Sequence, residues 1–161
     1  MSIAIAIPPY PIPLTLSANL VSALNNPRGV LRTVAQRDGT TVTVYAGGEV
    51  DAANEHSWQQ LLREAAAATP PPGPLVIDTD GLDFMGCCAF SALAEEADRC
   101  HSRGIRMCVV SCKPIVGRII TAGGLGSRLA VYPDADTALS AAAAGTYEVP
   151  PGSRPSWFSS R

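Results

Sequence analysis

The chain alternates short, almost wholly apolar runs with stretches in which apolar residues return every three or four positions. The first pattern predicts strands and the second amphipathic helices. Residues 30–34 and 41–45 are rich in β-formers and flank Asp38-Gly39, an arrangement that predicts a β-hairpin. Gly47-Gly48-Glu49-Val50-Asp51 reads as a turn into a helix over about residues 53–67, with Asp51 or Asn54 as its N-cap. Residues 69–74 hold four prolines and a glycine, which stop that helix and form a loop. The run 75–79 is a strand of the buried kind. Acids and a tight Gly/Asp turn follow it, and a helix over 87–99 opens directly on Cys87 and Cys88. Gly104 ends that helix, and 105–111 is a further apolar strand. Pro114 fits the first turn of a short helix that Gly123-Gly124 closes. A short strand at 129–132 and an Ala-rich helix at 134–144 complete the series.

Strands alternating with helices predict an α/β unit with a largely parallel sheet, to which the hairpin adds an antiparallel edge. Right-handed crossovers then set the loops after the parallel strands along one rim, with residues 86–88 and 111–112 on it. The two ends break the pattern. Residues 1–27 carry no charged side chain, yet Pro8, Pro9, Pro11 and Pro13 interrupt the apolar run. Neither a secretory signal nor a membrane helix of about 20 residues tolerates that. They read as a Pro-rich extension or partner-docking arm, and 145–161 as a flexible Pro/Ser-rich tail, leaving 28–144 as the domain.

Composition narrows the function. Apolar residues at 47% and charged ones at 16% suit one globular domain with a real core rather than a disordered chain. Twelve basic residues stand against fourteen acidic ones and no two basic residues are adjacent, so no basic stripe exists for nucleic acid. Five cysteines, an odd number without framework spacing, indicate reduced thiols in a cytoplasmic protein.

Those cysteines carry most of the candidate chemistry. A helix N-terminus presents free N–H groups and partial positive charge, which favour anions and thiolates, and Cys87 and Cys88 are expected to open one. If the strand ending near Ile77 neighbours the one ending near Ser111, their loops stand about one strand spacing, ~4.8 Å, apart. Cys87 or Cys88 would then reach Cys112 at the usual disulfide Cα separation of about 5.5–6 Å. Cys87, Cys88 and Cys112 are thus the redox candidates, with Cys108 a small buried hydrophobe. A thiol–disulfide protein is the alternative function this leaves open, although a Cys-x-x-Cys is missing and a vicinal pair makes a strained ring. No metal site is expected. Cys108 and Cys112 on a strand hold ligands along a line, and Cys100 and His101 lie about 18–20 Å along the helix from Cys87 and Cys88. Gly123 to Ser127 lacks a P-loop's context. His56 and His101 are isolated, Glu49 with Asp51 has no partner acid, and no nucleophile elbow appears. An enzyme is not expected, and neither is a cofactor.

The stretch 75–97, LVIDTDGLDFMGCCAFSALAEEA, resembles the signature of the STAS domain of bacterial anti-sigma-factor antagonists. In that family an apolar strand leads to an apolar-Asp-Ser-Ser-Gly-Leu turn and a helix. Here Met85 takes the apolar position, Gly86 the Asp, Cys87 and Cys88 the serines, Ala89 the Gly and Phe90 the Leu. Three further pieces resemble the family in order: Gly48-Glu49-Val50-Asp51, Ser111-Cys112-Lys113-Pro114 after an apolar strand, and Ala122-Gly123-Gly124-Leu125. The resemblance spans about residues 30–144. It implies a mixed sheet of about four to five strands with an N-terminal hairpin and helices mainly on one face. It implies a cytoplasmic anti-anti-sigma factor that binds a histidine-kinase-like anti-sigma factor and so influences transcription. The implied contact residues are Glu49, Asp51, Asp80, Phe84, Gly86, Cys87, Cys88 and Ser91. The family's phospho-acceptor position is occupied by Cys88, which cannot serve a serine kinase, and Ser91 points elsewhere from Cys88. A redox gate, a simple loss of the serines, a membrane- or transporter-associated STAS module and a homodimer all stay open; membrane contact is not expected.

Overall fold

Alternation decides the first hairpin. In the strand Thr41–Val50 every second residue from Val42 onward is buried, and the strand Leu31–Asp38 buries Leu31 and Ala35 on the same face. In the computed structural model, which describes residues 11–143, eleven elements follow one another. They are β1 (Ile12–Pro13), α1 (Ala18–Leu24), β2 (Leu31–Asp38), β3 (Thr41–Val50), α2 (Glu55–Ala67), β4 (Leu75–Met85), α3 (Cys87–Ser102), β5 (Met107–Val110), α4 (Pro114–Ala122), β6 (Ala130–Tyr132) and α5 (Ala135–Ala143). The strands form one six-stranded sheet in the order β1-β2-β3-β4-β5-β6. β1, β2 and β3 pair antiparallel; β3 to β6 pair parallel, joined through α2, α3 and α4.

The central parallel strands are buried on both faces, so Leu75, Val76 and Ile77 and all of Met107–Val110 read as unbroken apolar runs. One face carries the main core. Trp58, Leu61 and Leu62 of α2, Phe90 and Leu93 of α3, and Val116 and Ile120 of α4 close on Val42, Val44, Ile77 and Val109. On the other face α5 brings Ala138 against Val76, Cys108 and Val110, with Tyr132 beside them.

Three expectations change. First, β3 and β4 run further than the sequence indicates. The sequence predicts a turn at residues 47–51 and a tight Gly/Asp turn after the strand at 75–79, yet Gly47 pairs with Gly81, Gly48 with Leu82, Glu49 with Phe84 and Val50 with Met85. Glycine makes this possible. At Gly81 a Cβ would come within 2.8 Å of the Ala46 carbonyl oxygen, and Gly48 sits at φ +90° with Val30 O 1.7 Å from where its Cβ would be. The glycines serve close strand approach across a bulged register rather than a turn.

Second, the uncharged extension is not separate where the structure describes it. Ile12 and Pro13 pair with β2, Leu14 N–H donates to Ala35 O at 2.9 Å, and Leu20 lies fully buried in the core. Ser17 caps α1 and holds it to α2: its N–H and Oγ donate to the Glu64 carboxylate at 2.6 and 2.7 Å. Leu14, Leu16 and Leu24 pack beside Leu20, so the apolar spacing of this segment belongs to the domain. Third, the sheet has six strands because of β1. The tail expected over 145–161 lies outside the described residues.

Candidate functional site

The upper ends of β3 and β4 and the start of α3 form one rim. Glu49 lies beside Phe84, and Gly86 N–H donates to Val50 O at 2.8 Å, which fixes where α3 begins. Gly86 is the N-cap, extended at φ −69° and ψ 166°, with no side chain to accept the first N–H groups. α3 is held from behind by Trp58, whose buried indole N–H donates to Ala89 O at 3.2 Å. Next door, the β3–α2 junction is closed by its own side chains: Ala53 N–H donates to Asp51 Oδ1, Asp51 N–H to Asn54 Oδ1, and Asn54 Nδ2 to Glu49 O. Asn54 is the N-cap residue of α2, though its side chain bonds backward rather than into the helix.

The exposed surface of this rim is defined by Phe84, 52% exposed at the end of β4. About half of that aromatic side chain is open to water, an apolar surface available for contact with another molecule. Around it stand exposed Glu49, Asp83 and Cys87, half-buried Met85 and Cys88, and, one turn up α3, exposed Ser91. Ser91 follows Cys87 by four positions and therefore shares its helix face. On the far side of β4 the loop after β5 closes in: Cys112 N–H donates to Asp80 Oδ1 at 2.6 Å, and Lys113 Nζ donates to Leu82 O. Ile115, 54% exposed at the start of α4, is another exposed apolar side chain that sequence reasoning does not single out. In a sequence it reads as one more core position of an apolar helix turn.

The residues named from sequence therefore divide. Glu49, Phe84, Gly86, Cys87 and Cys88 meet at the rim, with Asp51 and Ser91 adjoining. Asp80 stands apart, in a shallow trough of about 400 Å³ on the open face of the sheet with Arg32, Tyr45 and Asp78.

Cys112 is not beside Cys87 and Cys88. β5 ends at Val110 opposite Asp78, whereas β4 continues to Met85. At about 3.3 Å per residue, the five residues from Asp80 to Met85 carry the chain on the order of 15 Å past Cys112. A disulfide needs Cα atoms within about 7 Å, so the pairing expected from sequence fails on length of strand. Instead Cys112 faces Asp80, whose hydrogen bond and negative charge raise its thiol pKa. Cys100 and Cys108 are buried, and desolvation pushes their thiols up to about 11 and about 12. Cys108 thus packs as the small hydrophobe expected of it. Asp78 is also raised, by burial and then, against a hydrogen bond from Asp80 N–H, by the charge of Asp80.

Among the described residues no three His, Cys, Asp or Glu side chains are grouped to hold a metal ion, and no helix is long and apolar enough to cross a membrane. His56 and His101 are both exposed.

Known proteins can now be set beside this geometry. A Mycobacterium tuberculosis protein, Rv2638, named as a candidate anti-anti-sigma factor, is 52% identical over 137 residues, covering 85% of this chain and 93% of its own. The anti-sigma-F factor antagonist RsfA of the same organism is 51% identical over 111 residues, covering 69% of this chain and 87% of its own. The crystal structure of an anti-sigma factor antagonist from Mycobacterium paratuberculosis superposes with a TM-score of 0.62 at 27% identity, covering 72% of this chain and 96% of that one. The STAS domain model matches residues 32–138, from the hairpin to α5. The chain belongs to the STAS domain family.

Proposed function

We propose that this chain is an anti-sigma-factor antagonist, a cytoplasmic binding protein without catalytic chemistry of its own. It docks an anti-sigma factor of the histidine-kinase-like type on the rim of Glu49, Asp51, Phe84, Gly86, Cys87, Cys88 and Ser91. Docking frees the sigma factor and changes transcription without contact to DNA. The observation that carries this reading is Phe84, bare at the centre of the rim beside exposed Glu49 and the open end of α3. The relatives named as antagonists support the kind of partner. Asp80 contributes by holding Cys112 and the following loop beside β4.

No serine stands at the acceptor position, so the docked state is not switched off by phosphate there. A thiol offers a protein-serine kinase no hydroxyl oxygen, and Gly86 leaves no carboxylate beside it.

The test is calorimetric titration of the purified chain with a kinase-type anti-sigma factor. Phe84→Ala should weaken binding by about 2 kcal/mol or more, roughly thirtyfold, as expected for a central aromatic anchor. Val34→Ala, on the open sheet face, should leave it unchanged. Unaltered affinity for the Phe84 variant would overturn the rim assignment, and failure to bind any such partner would overturn the function. Incubation of the mixture with ATP should leave residues 87–88 unlabelled.

A further inference from the structure

α5 covers Val76, Cys108 and Val110 on one face of the sheet, and the half of that face on β2 and β3 has no cover among the described residues. Alternation decides what it presents. Leu31 and Ala35 on β2, and Val44 and Ala46 on β3, point to the core, so Arg32, Val34, Tyr45 and Gly47 point the other way. Val34 is 60% exposed, and Tyr45, directly across the strand pair, is 42% exposed. Asp78 stands beside Tyr45 on β4, with Asp80 two residues on. The trough of about 400 Å³ lies here because Gly47 pairs with Gly81 and neither carries a side chain. Among the described residues no ion pair includes Arg32, Asp78 or Asp80. Asp78 accepts the Asp80 N–H and Asp80 the Cys112 N–H, but no cation of the described chain neutralises either acid.

This surface is complementary to a copy of itself. On the open face Val34 and Tyr45 form one cross-strand pair, and Arg32 and Gly47 the next. A two-fold axis along the line between β2 and β3, in the plane where two such faces meet, exchanges the members of each pair. Val34 of one copy then lies on Tyr45 of the other. Arg32 lies over Gly47, on the floor of the other copy's trough and about one strand spacing, ~4.8 Å, from the strand of Asp78 and Asp80. α5 favours this axis, because it stands over β4, β5 and β6 and leaves room for a second sheet over β2 and β3. An axis across the strands at Val34 would set Arg32 over Gln36, with no charge to meet. The strip is about three strands wide and six residues long, on the order of 300 Å² in plan. Stable dimers bury about 800 Å² on each partner, so the pairing is reversible and of roughly micromolar strength.

We propose that two copies of this chain pair through this face, each placing Arg32 in the other's trough against Asp78 and Asp80, with Val34 and Tyr45 in apolar contact across the axis. The second copy completes the layer that α5 begins. The rim of Phe84 and Cys87 lies at the strand ends and stays free, so the two surfaces act independently.

Sedimentation velocity over a concentration series, to about 500 µM, should show the parent passing from monomer to dimer, less readily as salt is raised. Arg32→Glu puts a carboxylate opposite Asp78, and Asp78→Lys puts an ammonium opposite Arg32, so each variant alone should associate at least about tenfold more weakly. Mixed in equal amounts, the two variants should form a heterodimer with close to the parent's affinity. One contact is then Arg32 with Asp78, and the other is the same pair with its signs exchanged. That rescue separates a lost contact from a lost fold. Val34→Glu should also dissolve the dimer while the far-ultraviolet spectrum and melting stay those of the parent. A parent that is monomeric throughout the series would overturn the proposal. So would a dimer that both charge variants keep, or two variants that melt like the parent and fail to pair when mixed. Loss of anti-sigma-factor binding in Arg32→Glu, with the parent monomeric, would assign the face to that partner instead. Rim binding through Phe84 is measured separately, so its failure does not decide the fate of the dimer.

Discussion

Leu20 is the residue by which the N-terminal segment stands or falls as part of the domain. Its side chain is fully buried, while Val21, the next residue of the same short helix, is 40% exposed. Truncating a fully buried leucine to alanine removes its transfer energy and leaves a cavity, a combined cost of about 2–5 kcal/mol. α1 has seven residues and lies at the border of the core, so its backbone can settle toward the space, which places Leu20→Ala near the lower end, about 2–4 kcal/mol. For a domain of this size that is roughly 5–15 °C in melting temperature. Val21→Ala touches the same helix without a buried group and should stay within about 0.5 kcal/mol. The assay is urea unfolding of both variants beside the parent, with midpoint and slope recorded. A retained slope with a lower midpoint means that α1 stays docked around the cavity; a reduced slope means that the segment has let go before the domain unfolds. Equal midpoints for Leu20→Ala and Val21→Ala, or a protein lacking residues 1–27 with the parent's midpoint, would refute the packing argued from Leu20 and the Ser17–Glu64 contact.

Glu64 gives the same segment a pH dependence. Burial would raise its pKa, but hydrogen bonds from Ser17 and Gln60 outweigh that and lower it, so the stabilisation it gives α1 is complete above the ordinary glutamate pKa and is lost as the pH falls through and below it. Hydrogen exchange should show α1 amides deprotecting in acid before α2 does, and Glu64→Gln should remove the difference. At Gly48, any Cβ meets Val30 O, so Gly48→Ala should cost several kcal/mol or leave the protein insoluble, whereas Gly126→Ala, with open space around it, should unfold like the parent. Native alkylation with iodoacetamide should modify Cys87 and Cys112 and spare Cys100 and Cys108; Asp80→Asn should speed Cys112 alone, because it removes the hydrogen bond and charge that hold that thiol protonated.

How far the sequence disclosed this molecule depends on which force placed each part. The order of strands and helices from the hairpin to α5 was readable because burial on one face writes a period into the chain, as in Val42, Val44 and Ala46 or Leu61, Leu62 and Ala65. The rim was readable only through its resemblance to a family signature, since Phe84 and Cys87 meet through strand pairing and no local pattern announces that. The extra length of β4 was hidden by Gly81 and Asp83, residues that punctuate turns when nothing else holds them. Here pairing with β3 holds them, and a local preference of about 1 kcal/mol yields to it. That hidden length is also why the sequence alone suggests Cys112 beside Cys87. The segment before β2 resembles a linker in sequence because it lacks charge and holds many prolines, while the spacing of Leu14, Leu16, Leu20 and Leu24 is too short to show a clear period.

On the proposed reading, the rim keeps the shape of a family surface and lacks its phospho-acceptor hydroxyls. Gly86 retains the extended backbone of an N-cap, and its N–H still bonds Val50 O, so α3 starts where the strand pairing puts it. Set against the signature that the stretch resembles, Gly86, Cys87 and Cys88 lack the polar groups: the cap side chain and both hydroxyls. A Cβ at Gly86 would meet only ordinary contacts, 3.5 Å from Val50 O and 3.6 Å from Cys88 Sγ, so glycine there is not demanded by space. The absence of a carboxylate is therefore a chemical difference and not a steric necessity. Adding a phosphate to a rim of this kind would place about two negative charges against Glu49 and Asp51, a large electrostatic change. A thiol in the same place adds none. On the proposed reading, occupancy of the anti-sigma factor then follows the concentrations of the two proteins and their affinity, and control must act on their synthesis or on a surface other than the phospho-acceptor turn.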